Sequence, residues 1–427
     1  MAVRAGRVAT TSYRSSGISA AAPAPTTPLW RNRDFMALWS SQVVSTVGTR
    51  ITSIAYPLLV LAMTGSPVQA GLVGFAQTLP FLVLFLPAGA YVDRWDRRKV
   101  MLVADIGRAV ALGSVALATA VGVVSVPQLV VVALVEGSLF VFFDLCEGAA
   151  LPQIVPPEQL PAAVAQNQAR TQGADLVGQP LGGILFGLGR AIPFAADALS
   201  YVISFAAILT IRTPLQASRP ADPAAPPLDL RAEIAEGIAT VWGQPFLRIA
   251  IVVVAGLNFA SNALSLVLIV RAQDLGAGPG LIGLMFAFFG AGAILGSIVA
   301  PWVHARVGTR KITLGLTWLA VAEYAALAFL PNVLALGVAV GIGSIGAPIF
   351  NVALSDVIYR ITPDRLLGRV RSVVKAIAWG TIPAGTLAAG FLASGLGAPG
   401  ALLVLAAVVL VGALVATLSR GMHLVPA

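Results

Sequence analysis

Gly89-Ala-Tyr-Val-Asp93-Arg94-Trp95-Asp96-Arg97-Arg98-Lys99 sets two acids and four bases at the junction of two long apolar runs, Val68 to Val92 and Val100 to Val123. Charges at this density are too costly for a lipid interior, so one run must end here and the next begin. Each run is long enough to cross a hydrocarbon core of about 30 Å, which takes roughly 20 helical residues at 1.5 Å apiece. Gly89, near the end of the first run, permits close approach of a neighbouring helix. Asp93 at the lip can accept hydrogen bonds from the free N–H groups of a helix start. A degraded copy of the stretch follows later, with Ala305 in place of the acid, Thr309 in place of the first Arg of the pair, and Arg306, Arg310 and Lys311 kept.

Apolar runs with basic punctuation fill the chain. Its 427 residues are 58% hydrophobic and 11% charged, with a mean hydropathy of +0.89. No water-soluble domain of that length has enough polar surface to cover such a composition. About twelve segments of membrane length are predicted. They run Phe35 to Met63, Val68 to Val92, Val100 to Val123, Pro127 to Ala150, Val164 to Leu188, Ile192 to Ile211, Phe246 to Val270, Leu281 to Val303, Ile312 to Leu330, Asn332 to Ser355, Val370 to Leu392 and Pro399 to Leu418. Alternate loops hold almost all the cations: Arg94, Arg97, Arg98 and Lys99; Arg212, Arg219 and Arg231; Arg306, Arg310 and Lys311; Arg360, Arg365, Arg369 and Arg371. The opposite loops hold only Arg190 and Arg271. By the positive-inside rule this asymmetry predicts a multi-pass protein with both termini cytoplasmic.

The halves repeat. A shift of 212 residues carries Pro67 onto Pro279, Gly71 onto Gly283, Arg94 onto Arg306, Arg98 onto Arg310 and Lys99 onto Lys311. Such a period marks duplicated bundles related by an axis along the membrane normal. The predicted organisation is a disordered cytoplasmic tail over 1–34, a six-helix bundle over 35–212, a cytoplasmic linker over 213–245, a second six-helix bundle over 246–420 and a tail over 421–427. Within the linker, Thr213 to Pro227 is Pro and Ala rich, and Leu230, Ile234, Ile238, Val241 and Trp242 then recur at helical spacing. That pattern suits an amphipathic helix on the membrane surface or a connector facing water. The N-terminal stretch lacks an apolar core and is no secretory signal. The net charge of +9 is scattered between apolar runs instead of forming a basic stripe, which argues against nucleic acid as a partner. Cys146 is the only cysteine, so neither an internal disulfide nor a cysteine metal site is possible. The preference for Arg over Lys fits a GC-rich bacterial genome.

The Gly89 to Lys99 stretch resembles the signature loop of the major facilitator superfamily, in which a Gly is followed four residues on by an Asp, an Arg and then a basic pair. It departs from that pattern at Asp96, where the family usually has Gly. The resemblance implies an all-α membrane protein of twelve transmembrane helices in two six-helix bundles, working by alternating access in the bacterial inner membrane. In that family the first basic residue after the turn pairs with an acid at the cytoplasmic end of the fourth helix. This carries over to Arg97, with Asp144 or Glu147 as partner, and gives a cytoplasmic gate of Gly89, Asp93, Arg94, Arg97, Arg98, Lys99, Asp144 and Glu147. A pure topology signal is the alternative.

Further stretches resemble the drug-efflux branch that contains macrolide and siderophore exporters: Arg31 to Phe35, Asp105 with Arg108, Pro152 to Leu160, Phe194 to Ser200 and Gly368 to Ser372. Gly178-Gln-Pro180-Leu-Gly182-Gly183 resembles a degenerate antiporter signature, in which Gly and Pro shape a kink and a tight packing face.

Ionisable residues inside the membrane are functional candidates by default. Arg50 and Glu136 fall about halfway along the first and fourth segments, near the midplane. The resemblance places those helices around the central cavity, where the two can meet and Asp175 can join them. Burial and a neighbouring Arg act oppositely on a carboxylate's hold on its proton, so a pair that opens and closes can exchange one. A structural ion bridge is the alternative. Asp197 and Glu323 fall on the sixth and ninth segments, peripheral in the resembled fold, and structural roles are expected for both. His304 and His423 have no partner at metal-ligand spacing, and no nucleotide-binding loop is present. No metal, cofactor or enzymatic chemistry is expected. The expected function is proton-driven export of small amphipathic molecules by a monomer in the lipid bilayer. Import or uniport of a nutrient on the same fold is an alternative, and a transport-dead sensor or scaffold another.

Overall fold

A computed structural model describes residues 28–92, 94–216, 230–361 and 364–419, and among them all regular structure is helical. In chain order the α-helices are α1 (Arg33–Thr64), α2 (Pro67–Val83), α3 (Phe85–Val92), α4 (Arg97–Ala120), α5 (Val126–Ile154), α6 (Leu160–Leu188) and α7 (Ile192–Thr210). After the linker come α8 (Leu230–Gly243), α9 (Pro245–Asp274), α10 (Pro279–Arg306), α11 (Thr309–Leu327), α12 (Val333–Ser344), α13 (Gly346–Ile361) and α14 (Asp364–Leu418).

The starts of these helices are written in short-range chemistry. Asn32, Ser66, Ser125 and Asn332 accept hydrogen bonds from the first-turn N–H groups of α1, α2, α5 and α12, and Pro opens α2 and α10, where a missing N–H costs nothing. Two predicted segments are broken in the middle, each for the same reason. Pro87 removes the donor that Val83 would need, and Pro348 the donor that Ser344 would need. The breaks fall at these residues, between α2 and α3 and between α12 and α13. Gly397, at φ 69° and ψ 168°, interrupts α14 between the predicted eleventh and twelfth segments, and Pro399 follows it.

Among the described residues, eight helical stretches are long and apolar enough to cross a membrane. The twelve predicted segments all fall on helix, but α2 is short, α12 with α13 counts as one stretch, and α14 supplies only one from Ala376 to Leu418. The first half of α6 is polar, carrying Gln166, Asn167, Gln168, Arg170 and Gln172. Outward faces are apolar where they are most exposed: Val103, Val110 and Leu117, seven apart along one face of α4, are 62%, 66% and 67% exposed. In water that stripe would be an aggregation surface, and against lipid it is the ordinary solvent face.

Before α8, α1 packs on α6 and α7, α4 on α5 and α7, and α2 on α5. After it, α9 packs on α14 and α10 on α12 and α13. The two sets meet where α6 crosses α10 and α2 crosses α14. Glycine permits both crossings. A Cβ at Gly71 would lie 3.0 Å from the α-carbon of Gly390, and one at Gly183 only 2.9 Å from that of Gly283. Both crossings lie near the start of α2 and α10 and the end of α6, the end of the molecule remote from the Arg97 to Lys99 cluster. The helix α8 docks against α9 and α14, with Val241 buried and Ile238 and Trp242 exposed.

Candidate functional site

Buried charge converges where α1, α4, α5 and α7 meet. Arg108 and Glu136 are 3% and 2% exposed, with Nη2 and Oε1 3.9 Å apart. Glu136 also accepts hydrogen bonds from Tyr56 at 3.1 Å, Gln77 at 3.3 Å and Tyr201 at 3.5 Å. Arg108 donates to the Tyr201 hydroxyl and, at 3.3 Å, to Thr49, and its guanidinium stands 3.9 Å over the Tyr201 ring. Asp197 on α7 accepts from Thr52 at 2.6 Å, Ser200 at 3.0 Å and Tyr201 at 3.4 Å. Gly48 makes room for this arrangement, because a Cβ there would collide with the Asp197 carboxyl group. Asp105, one turn before Arg108, is fully buried as well. A single guanidinium is thus shared among carboxyl groups from three helices, with phenol hydroxyls as intermediaries.

The structure re-pairs the predicted residues. Arg50 does not meet Glu136; its Nε lies 2.5 Å from Asp175 Oδ1 on α6. The reason is helical phase. Thr49, Thr52 and Tyr56 recur at i, i+3 and i+7 and share the α1 face that meets the buried cluster, whereas Arg50 is turned about 100° away toward α6. Gly178 and Gly182 hold α6 close on that side, where added Cβ atoms would lie 2.9 Å from the Val47 carbonyl and 2.6 Å from that of Ile51. Pro180 lies between them within α6. Arg108, the cation Glu136 does meet, was visible as an ionisable residue inside an apolar segment. Its phenol partners Tyr56 and Tyr201 carried no sequence signal. Asp197, expected to be peripheral, belongs to the cluster.

The gate residues are re-paired too. Glu147 takes Arg170 of α6 at 2.6 Å, not Arg97. Arg97 donates to the carbonyls of Ala149 at 2.9 Å and Leu215 at 3.2 Å, tying the end of α5 to the chain beyond α7. Arg98 donates to the Leu209 carbonyl at 2.6 Å. Asp96, the departure from the superfamily pattern, caps α4 by accepting from the N–H groups of Arg98 at 3.0 Å and Lys99 at 3.2 Å, and its other oxygen lies 3.8 Å from Lys99 Nζ. Arg94 lies exposed in the turn before it. Asp93 lies outside the described residues. Gly89 has open space where its Cβ would point, so it makes no close helix approach in this conformation.

Some of these groups line one cavity of about 560 Å³, in the range of drug-sized sites. Arg50, Gln77, Arg108, Glu136, Asp144, Glu147 and Arg170 face it from one side, and Asn262, Ser265, Phe286 and Trp379 from the other. It reaches from the middle of the helices toward the Arg97 end, opposite the glycine crossings. A second cavity of about 350 Å³ lies among α9 to α13 and shares Gln179, Ser265 and Phe286 with the first. Glu323, expected to be peripheral and structural, stands in its wall.

A family model described as a transmembrane secretion effector matches residues 23–423. The multidrug efflux pump Tap of Mycolicibacterium fortuitum is 30% identical over 354 residues, which cover 79% of this chain and 83% of that one. Tap of Mycobacterium tuberculosis is 28% identical over 370 residues, 83% of this chain and 85% of that one. Among solved structures, an inward-facing, unoccupied bacterial homologue of the human lysosomal transporter Spinster matches with a TM-score of 0.72 at 16% identity, over 93% of this chain and 98% of that one. An inward-facing bacterial homologue of the iron transporter ferroportin matches with a TM-score of 0.71 at 14% identity, over 90% and 98%. At such identities the two structures speak for the fold alone.

Proposed function

Because the chain belongs to the transmembrane secretion effector family of the major facilitator superfamily, whose members are multi-span transporters and not enzymes, we propose that it exports small amphipathic molecules from bacteria by proton antiport. The observation that carries this reading is the Arg108, Glu136, Asp197 and Tyr201 cluster at the inner wall of the larger cavity. Several carboxyl groups around one guanidinium, withdrawn from water, give an exchangeable proton a place to reside, and the cavity gives its competitor room. Multidrug efflux is the activity named for the Tap relatives.

In this reading the helices make twelve crossings in two bundles, 35–212 and 246–420. The pair α2 and α3 is one bent crossing, α12 and α13 another, and α14 is two crossings turned at Gly397. The arginine-rich end faces the cytoplasm with both termini, α8 lies at that surface, and the cavity is open inward while the glycine crossings seal the outside. Arg97, with Asp93, Arg94 and the neighbouring bases, holds the ends of α5 and α7 as the inner gate closes and opens.

Everted membrane vesicles carrying matched amounts of protein test it. A proton gradient should drive uptake of dyes, macrolides or siderophores, an uncoupler should abolish it, and Glu136→Gln should remove the gradient dependence while leaving downhill exchange. Gradient-driven transport by Glu136→Gln equal to wild type would move the proton site elsewhere; inward accumulation by intact cells would favour the importer.

A further inference from the structure

The wall of the smaller cavity contains one formally charged group. Its other lining residues are apolar, aromatic or neutral polar, drawn from α9 to α13 with Gln179 of α6. Four of the polar groups already have partners within the protein. Ser261 and Tyr324 share a hydrogen bond at 3.2 Å, Asn258 donates to the Val254 carbonyl at 3.0 Å, and Ser344 donates to the Phe289 carbonyl at 2.8 Å. Glu323 has no hydrogen-bond or ion-pair partner among the described residues. Its carboxyl group rests against the α-carbon of Gly343 on α12, so closely that a Cβ at that position would overlap all three carboxyl atoms. Gly343 therefore fixes where the carboxylate sits, and it sits where an unaccompanied charge is expensive.

Two features of the surroundings say what would accompany it. Phe286, Phe289 and Phe350 supply aromatic surface to the same cavity, and an aromatic face together with a carboxylate is the combination that holds a bulky organic cation. A small inorganic cation would instead need several converging oxygen ligands, whereas most of this wall is aliphatic and aromatic. At about 350 Å³ the cavity is large enough for a drug-sized body. Gln179, Ser265 and Phe286 stand in the walls of both cavities, so the two adjoin.

We propose that Glu323, positioned by Gly343, is the anionic wall of a second binding site, which takes the charged end of an amphipathic organic cation while the phenylalanines hold its body. The site deepens the exporter reading and rests on it for the direction of transport. Binding at Glu323 is a separate matter from pumping, and the two can fail separately.

Equilibrium binding of radiolabelled tetraphenylphosphonium to purified full-length protein in detergent, together with export of tetraphenylphosphonium and of neutral chloramphenicol from cells, tests it. Wild type should bind the cation, Glu323→Gln should weaken binding at least tenfold with thermal stability unchanged, and Glu323→Asp should recover part of the affinity. Gly343→Ala should weaken binding as well, by displacing the carboxyl group, and it carries the test should Glu323→Gln fail to accumulate. Equal affinity in wild type and Glu323→Gln, or no binding by wild type, overturns the site. Export of chloramphenicol without binding of the cation keeps the exporter and discards the site. Glu323-dependent binding without export of either probe keeps the site and discards the exporter.

Discussion

Before α8, buried charge comes in company: Arg108 lies against Glu136 and donates to the Tyr201 hydroxyl, which bonds Asp197, and Arg50 is matched by Asp175. After α8, Glu323 stands without an ion-pair partner among the described residues, in a cavity where the Ser261, Tyr324 and Ser344 hydroxyls are bonded to one another or to backbone. The helices on the two sides repeat one pattern, and the chemistry placed on them does not repeat; nor do the proline breaks, Pro87 falling in the second predicted segment and Pro348 in the tenth. A network of partners and a solitary charge respond oppositely to loss of a member. Removing one partner of a buried ion pair strands the other, whereas removing a solitary acid relieves a cost.

That contrast gives the largest expected effect. Arg108→Ala should destabilise the folded protein by about 3 to 5 kcal/mol, because Glu136 and Asp197 would keep their burial and lose their only guanidinium. Glu323→Gln should leave stability unchanged or raise it. Thermal unfolding of the two variants in the same detergent, with yield recorded, compares them directly. Equal losses would mean that Glu323 has a partner in the folded protein and that the contrast between the halves is false.

The halves can be compared again at their two crossings. Gly71 and Gly283 occupy equivalent places in the internal repeat, and each abuts a glycine of the other half, Gly390 and Gly183. A leucine at Gly71 or Gly183 would force α2 from α14 or α6 from α10. Overpacking of this kind costs about 1 to 3 kcal/mol, charged here only to the conformation in which the crossing is closed. Such a cost moves a two-state equilibrium by roughly 5- to 150-fold. In a Cys146→Ala background, a cysteine introduced at Gln77 should become reachable from the side remote from Arg97 in both leucine variants, and by similar factors. Labelling unchanged in both variants would show that the crossings do not seal that end, and a change in only one would show that the seal is not symmetric.

What was legible in the sequence followed from local rules. Segment length, flanking Ser, Asn and Pro, and the basic loops placed helices such as α1, Arg33–Thr64, within a few residues of the predicted Phe35 to Met63. Intramembrane cost singled out Arg50, Glu136 and Asp175; the first two line the cavity and the third pairs with Arg50. Partner choice was not legible, since it depends on which face each helix turns inward. Arg50 and Tyr56 are six residues apart, about 240° in helical phase, and a residue list does not say which of them meets α5. The same limit explains why Glu147 was offered beside Asp144 as a partner of Arg97 when α6 brings Arg170 to Glu147. Glu323 was misplaced because a helix that is peripheral on average can still turn one residue inward, here against Gly343.

The smallest expected effect sharpens the comparison at the loop where one copy has a side-chain helix cap and the other has none. Asp96 precedes α4 and accepts from the N–H groups of Arg98 and Lys99, while its repeat equivalent Gly308 precedes α11 with no side-chain cap. Gly308 has φ −55° and ψ 146°, open to any L-residue, and no atom lies within 4 Å of where its Cβ would be. An acid therefore fits there without strain and would stand at the cap of α11. Asp96→Ala should cost about 1 kcal/mol locally, read as a roughly fivefold faster amide exchange at Arg98 and Lys99 in peptides from the start of α4. Gly308→Asp should slow exchange at Arg310 and Lys311 by a smaller factor, since Gly is itself a tolerable cap. Asp96→Gly, which restores the superfamily pattern, should shift exchange by only a few tenths of a kcal/mol. If Asp96→Gly impairs transport far more than that local loosening can account for, Asp96 acts in the gate and not merely as the cap of α4.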